Sequence, residues 1–177
     1  MTTEELLAEL RDAEWTAWPH AYGRAEDTPT HLVALIDGDD KARATAAYHF
    51  RSAIVHQSTV WPASPDAFAL LVRILRTTPQ PADVLEGCLD ALTEAAEYLP
   101  PAGTPVPDLS PTAAKWLRAF ATTDEEAVEE LWEEPDEEVW DWTVARLAQL
   151  RPEVAALVAE LPETAAVAQV KAAWTTG

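Results

Sequence analysis

Cysteine is almost missing from this chain: Cys88 stands alone in 177 residues. A single thiol excludes an internal disulfide framework and any Cys-x-x-Cys pair. Its place in a helical apolar pattern makes it a small buried hydrophobe. Glycine is scarce, with five in all, and no Gly-rich phosphate loop or nucleophile elbow can be found. Positive charge is thin: 12 Lys and Arg stand against 31 Asp and Glu, a formal net charge of −19. A field of that sign repels phosphate backbones and anionic lipid headgroups, so nucleic acid and membrane surfaces are not the expected partners. No apolar run reaches membrane-spanning length. The opening Met1-Thr2-Thr3-Glu4-Glu5 has no basic region and no long apolar stretch, so no signal peptide is visible and the expected location is the cytoplasm.

What is present points to helices. Apolar residues make up 48% of the chain, enough for a sizeable core in a single domain spanning 1–177. Strand-like alternation is hard to find. The 14 prolines mark helix starts, where the missing N–H would be unpaired anyway. Thr28-Pro29, Ser64-Pro65 and Ser110-Pro111 each place a capping hydroxyl before such a proline. Apolar spacing predicts helices over about 3–15, 29–37, 40–56, 65–76 and 81–98. Gly38 breaks the second, and 56–63 is a loop. A Pro-rich connector, 100–111, leads to less regular helices over about 111–121, 123–133, 136–150, 152–160 and 163–174. The clearer repeats fill 20–99; the acidic helices fill 111–175. Short loops predict antiparallel neighbours, and such pairs must stack to bury their apolar faces.

The charge is uneven. Residues 1–76 hold 11 acids and 7 bases, a net −4, whereas 77–177 hold 20 acids and 5 bases, a net −15. The second half therefore suits a basic partner, the plainer alternative being an acidic surface that serves solubility.

The string Asp39-Asp40-Lys41-Ala42-Arg43, followed by Ala46, resembles the inner turn and second helix of a HEAT repeat. An Asp in the turn caps that helix, and Arg43 sits four residues on, at a spacing suited to pairing with an acid. The longer run from His20-Ala21-Tyr22-Gly23 to His56-Gln57-Ser58-Thr59 resembles the N-terminal segment of a group of bacterial HEAT-repeat proteins, which tend to carry Gly where this chain has Ser58. The likeness covers roughly residues 20–76. It implies an all-α, right-handed HEAT-like α-solenoid of about eight to ten helices in antiparallel pairs. It also implies scaffolding and partner binding, in some members as immunity proteins toward a toxin. A minority of HEAT-like proteins are alkylpurine DNA glycosylases; that alternative needs a basic groove, and the densest basic cluster here is only Lys41, Arg43 and Arg51. A structural subunit of a larger assembly is a third reading.

All four histidines, His20, His31, His49 and His56, fall in the first third. His49 and His56, seven apart on one predicted helix, raise a metal site, but there is no His-Glu-x-x-His motif and the spacing is loose. The plainer reading has His20 and His56 bonded to loop backbone, with His56-Gln57 ending a helix where a donor favours the last carbonyls. Tyr22-Gly23 reads as a turn, glycine permitting positive φ. No catalytic residue, metal or cofactor is assigned.

The acidic run, from Asp124 to Asp141, crowds the exposed positions of two helices as a solvated face does. Within it Trp132 and Trp142 are ringed by Glu129, Glu130, Glu133, Glu134, Glu137, Glu138 and Asp141. An aromatic anchor with a charged rim suits a hot spot for a basic protein; ordinary packing against the next helix is the alternative. The sequence thus predicts a non-enzymatic protein-binding scaffold, with the oligomeric state open.

Overall fold

The computed structural model describes residues 3–12, 15–120 and 137–175. Most of them are helical. In chain order the helices are α1 (Thr3–Asp12), α2 (Thr28–Asp37), α3 (Asp40–His49), α4 (Ser64–Thr77), α5 (Ala82–Ala95), α6 (Pro111–Phe120), α7 (Glu137–Ala148), α8 (Arg151–Glu160) and α9 (Ala165–Thr175). The helix expected over 123–133 lies outside the described residues. No helix among them is long and apolar enough to cross a membrane.

Contacts fall into two rows. Helix α2 packs on α4 and α4 on α8, while α3 packs on α5 and α5 on α9. Between the rows, α2 meets α3, α4 meets α5, and α8 meets α9. Helix α1 covers α2 and α4, and α7 covers α4. One continuous apolar core runs from Leu6 through Phe50, Phe68 and Leu92 to Trp174. A smaller cluster of Ala113, Leu117 and Val139 joins α6 to α7.

Two departures from the expected helices matter for the site. The helix expected over 40–56 stops at His49. A π turn, Phe50–Ile54, follows, and the chain becomes extended. The segment after it is not a featureless loop but a minimal hairpin of β3 (Val55–His56) and β4 (Thr59–Val60). Its central residues, Gln57 and Ser58, have φ of 50° and 62°, as in a type I′ turn. A matching hairpin, β1 (Pro19–His20) with β2 (Gly23–Arg24), precedes α2, and Gly23 supplies its φ of 128°. The hairpins are joined by backbone. Ala21 N–H donates to Ala53 C=O (3.0 Å), and Ala63 N–H to Pro19 C=O (3.1 Å). Strands of two residues carry no alternation, which is why the sequence does not show them.

The capping hydroxyls also differ from expectation. Ser110 does cap α6 by accepting from Ala113 N–H (3.2 Å). Ser64 instead donates to Ile54 C=O (2.6 Å) and accepts from Trp61 N–H (2.8 Å), tying the second hairpin to α4. Thr28 turns its hydroxyl to His49. Gly38 ends α2 with φ −70°, not in the left-handed region; what it provides is room, since a Cβ there would sit 2.5 Å from Ala34 C=O.

Asp39 is the cap of α3, accepting from Ala42 N–H at 2.8 Å. Arg43, expected to pair with an acid, binds carbonyls instead. Its guanidinium donates to Gly38 C=O (2.8 Å), Ile36 C=O (3.1 Å), Pro79 C=O (3.2 Å) and Gln80 Oε1 (3.0 Å). The reason is that the end of α2 leaves carbonyls without intrahelical donors, and a five-donor fork meets several at once.

Two outcomes test this account. Arg43→Ala lowers stability by about 2 kcal/mol in urea unfolding, and Arg43→Lys recovers little, because a point charge cannot reach four acceptors. Ser58→Gly raises stability. Relief of a left-handed residue, ~1–2 kcal/mol, exceeds the ~0.5–1 kcal/mol entropy penalty of glycine, and the Ser58 N–H bond to Glu94 Oε1 (2.8 Å) is kept. A melt in which Ser58→Gly is less stable than wild type contradicts the strained-turn reading.

Candidate functional site

Polar side chains converge where the first hairpin meets the start of α2 and the end of α3. His20 is buried, with Nδ1 accepting from Tyr22 N–H (3.1 Å). That nitrogen is therefore unprotonated, and Nε2 donates to Asp27 Oδ1 at 2.9 Å. The tautomer is set by one backbone amide. Buried His49 places Nε2 3.0 Å from Thr28 Oγ1 and Nδ1 3.9 Å from Asp27 Oδ2. The His31 ring stacks on His49 with centroids 4.1 Å apart and planes 17° apart, and the His20 ring meets His49 edge-on at 5.5 Å.

Electrostatically this is a cluster of two buried imidazoles, half-buried His31 and the half-exposed carboxylate of Asp27. Burial, followed by the neighbouring His31, pushes His49 down to about 3, and Asp27 only partly opposes the shift. Burial also lowers His31. For Asp27, burial alone would raise the carboxyl, but the His20 bond and the nearby histidines more than offset it, and the net shift is downward. Near neutral pH the His31 and His49 rings beside this carboxylate are thus neutral. Among the described residues, His20, Asp27 and His49 each present one donor atom, and these lie within 4.8 Å of one another. A donor set of two imidazoles and a carboxylate can accept a proton or a divalent transition-metal ion.

His56 lies outside this cluster. Its Nδ1 carries the proton, because it donates to Ser52 C=O (2.9 Å), and Tyr22 Oη shares it at 3.2 Å. The helical pairing of His49 with His56 therefore fails: the π turn and the hairpin send the two rings to different neighbours. The Tyr22 ring is 64% exposed, and Gln57 is exposed at its turn. Asp27, Thr28 and the stacking of His31 were not legible in the sequence. Thr28-Pro29 reads there as a helix cap, and no local spacing links 27–31 to 49.

The acidic face is only partly visible. Trp132, Glu129, Glu130, Glu133 and Glu134 lie outside the described residues. Glu137 and Asp141 are exposed, while Glu138 accepts from Ser110 N–H. Trp142 is half-buried; its ring lies 5.6 Å from that of Trp18 and 4.6 Å from the Arg146 guanidinium, which also donates to Asp66 Oδ1 (2.7 Å). These are contacts within the fold; among the described residues of this face, Glu137 and Asp141 are the exposed carboxylates.

No protein-family model matches the chain, and neither does any curated protein or solved structure.

Buried His49 and half-buried His31 set a pH dependence. His49 and His31 have folded-state affinities for protons below the ordinary imidazole value near 6.5, so the unfolded chain takes up protons first as the pH falls. Their contribution is complete at pH 7 and is lost progressively from about pH 6.5 toward 3. Denaturation with chelator present, comparing wild type with His49→Gln, reads it. The stability gap between the two proteins narrows by about 2 kcal/mol between pH 7 and pH 5. A gap that does not change with pH shows that His49 is not held neutral.

Proposed function

We propose that this chain is a HEAT-like helical-repeat scaffold without catalytic activity, whose acidic second half holds a protein with a basic surface. The most concrete form is an immunity or inhibitor protein that blocks a basic toxin or a nucleic-acid enzyme by imitating phosphate charge. Two rows of helices, α2–α4–α8 and α3–α5–α9, joined pair by pair, support a stacked-repeat reading. The capped turn at Asp39, followed by Arg43, supports it locally.

The observation that carries the functional reading is the placement of the few cations. Arg146 is bonded to Asp66, Arg151 to the carbonyls of Trp174 and Pro100, and Glu160 is met by Arg76 from the first half. Meanwhile Asp83, Glu86, Glu97, Asp108, Glu137, Asp141, Glu153 and Glu163 are exposed. Among the described residues of this half, Arg146 and Arg151 are engaged within the fold, Lys115, Arg118 and Lys171 are exposed, and exposed carboxylates outnumber these cations. That leaves a field able to steer a basic partner.

The test is affinity capture at low salt with elution along a salt gradient, followed by titration of the captured protein against charge-reversed variants. A basic protein should elute with salt, and the double variant Glu137→Lys, Asp141→Lys should bind it at least about tenfold more weakly. Binding indifferent to both salt and charge reversal overturns the proposal.

A further inference from the structure

The buried histidine cluster is separate from the acidic half and has no part in the proposal above. It holds two imidazoles and one carboxylate from three different segments: His20 from β1, Asp27 just before α2, and His49 from the last turn of α3. We propose that His20 Nε2, Asp27 and His49 Nδ1 bind a divalent transition-metal ion of the zinc class, leaving its remaining coordination positions to solvent or an exogenous ligand.

Several features of the geometry support this. The three donor atoms already lie within 4.8 Å of one another. The 3.9 Å between His49 Nδ1 and Asp27 Oδ2 is too long for a hydrogen bond, and a small approach brings the two atoms to the ~3.4 Å that separates two ligands of a tetrahedral ion, each at about 2.1 Å. His49 Nδ1 faces the carboxylate while Nε2 meets Thr28 Oγ1, whose hydroxyl can accept from Nε2–H once Nδ1 is coordinated and then fixes the ring as outer partners of metal-bound histidines do. His31 stacks flat on His49 and restricts its rotation. Asp27 is 53% exposed at its side chain, which gives the ion a way in, while the two imidazoles are walled off. Imidazole and carboxylate together favour zinc, cobalt, nickel or ferrous ions over calcium and magnesium, which take all-oxygen shells.

His20 makes a distinctive demand. In the metal-free protein its Nε2 carries the proton, held there because Tyr22 N–H occupies Nδ1. Coordination through Nε2 moves that proton to Nδ1, where it faces the Tyr22 amide, so the Ala21-Tyr22 turn must shift. Metal binding is thereby coupled to the first hairpin, which touches the second through Tyr22 Oη and His56.

The decisive experiment adds Zn²⁺ to chelator-treated protein and follows the histidine ring nitrogens by long-range ¹H–¹⁵N NMR, with calorimetry for stoichiometry. The expected result is one tight equivalent that shifts His20 Nε2, His49 Nδ1 and the Tyr22 amide while leaving the His56 ring protonated at Nδ1. Asp27→Asn, a half-exposed position whose fold is checked by its melting curve, should weaken that equivalent by at least about a hundredfold. Zn²⁺ binding that leaves the His20 and His49 rings unshifted, or that Asp27→Asn does not weaken, assigns the ion to the acidic surface and overturns the proposal. So does the absence of binding.

Discussion

Short helices end often, and each end leaves carbonyls that the helix cannot satisfy; that constraint organises this molecule. Several of its helices are ten residues long, so a large share of the backbone lies within a turn of an end. Donors from elsewhere in the chain meet the need. Arg43 closes the end of α2 and reaches the α4–α5 turn in the same gesture. Gln80 joins it by donating to Leu35 C=O. Arg151 draws Pro100 and Trp174 together, and the indoles of Trp15 and Trp174 donate to Leu10 and Leu92 carbonyls. Ser64 and His56 do the same for the π turn.

This internal use of donors shapes the surface. With 12 Lys and Arg in the chain, each arginine turned inward is one fewer to neutralise the 31 acids. The acidic exterior and the bonded interior are therefore two consequences of one scarcity. A partner-binding face made this way depends on charge more than on apolar area: Trp142, the aromatic candidate within the described residues, is half covered by Trp18 and Arg146.

The histidine cluster obeys a different logic. Asp27 pairs with His20 and lies next to His49, and burial, first of all, keeps the His31 and His49 rings neutral. The His20 tautomer is set by a single contact, the Tyr22 amide, and the His49 ring is held through Nε2 by Thr28. Because Tyr22 also reaches His56, the two hairpins and the cluster form one polar spine through the first third of the fold.

The helices and their order were legible because apolar periodicity and proline placement are local signals; α2, α4, α5 and α8 lie within a residue or a few of where spacing puts them. Asp39 as a cap was legible for the same reason. The hairpins were not, since two-residue strands have no period and Ser58 hides a left-handed turn that glycine would announce. Arg43 was read as an acid's partner because sequence shows charges and not orphaned carbonyls. The meeting of His20, Asp27, His31 and His49 was illegible, because 27 and 49 are neighbours only once α2 and α3 fold back on each other. What the sequence by itself determined is an acidic, helical chain, through composition and period. What only the tertiary structure decided is which polar groups face one another, because that depends on chain reversal at Gly38 and on the π turn at Phe50, where local pattern carries no information about distance in space.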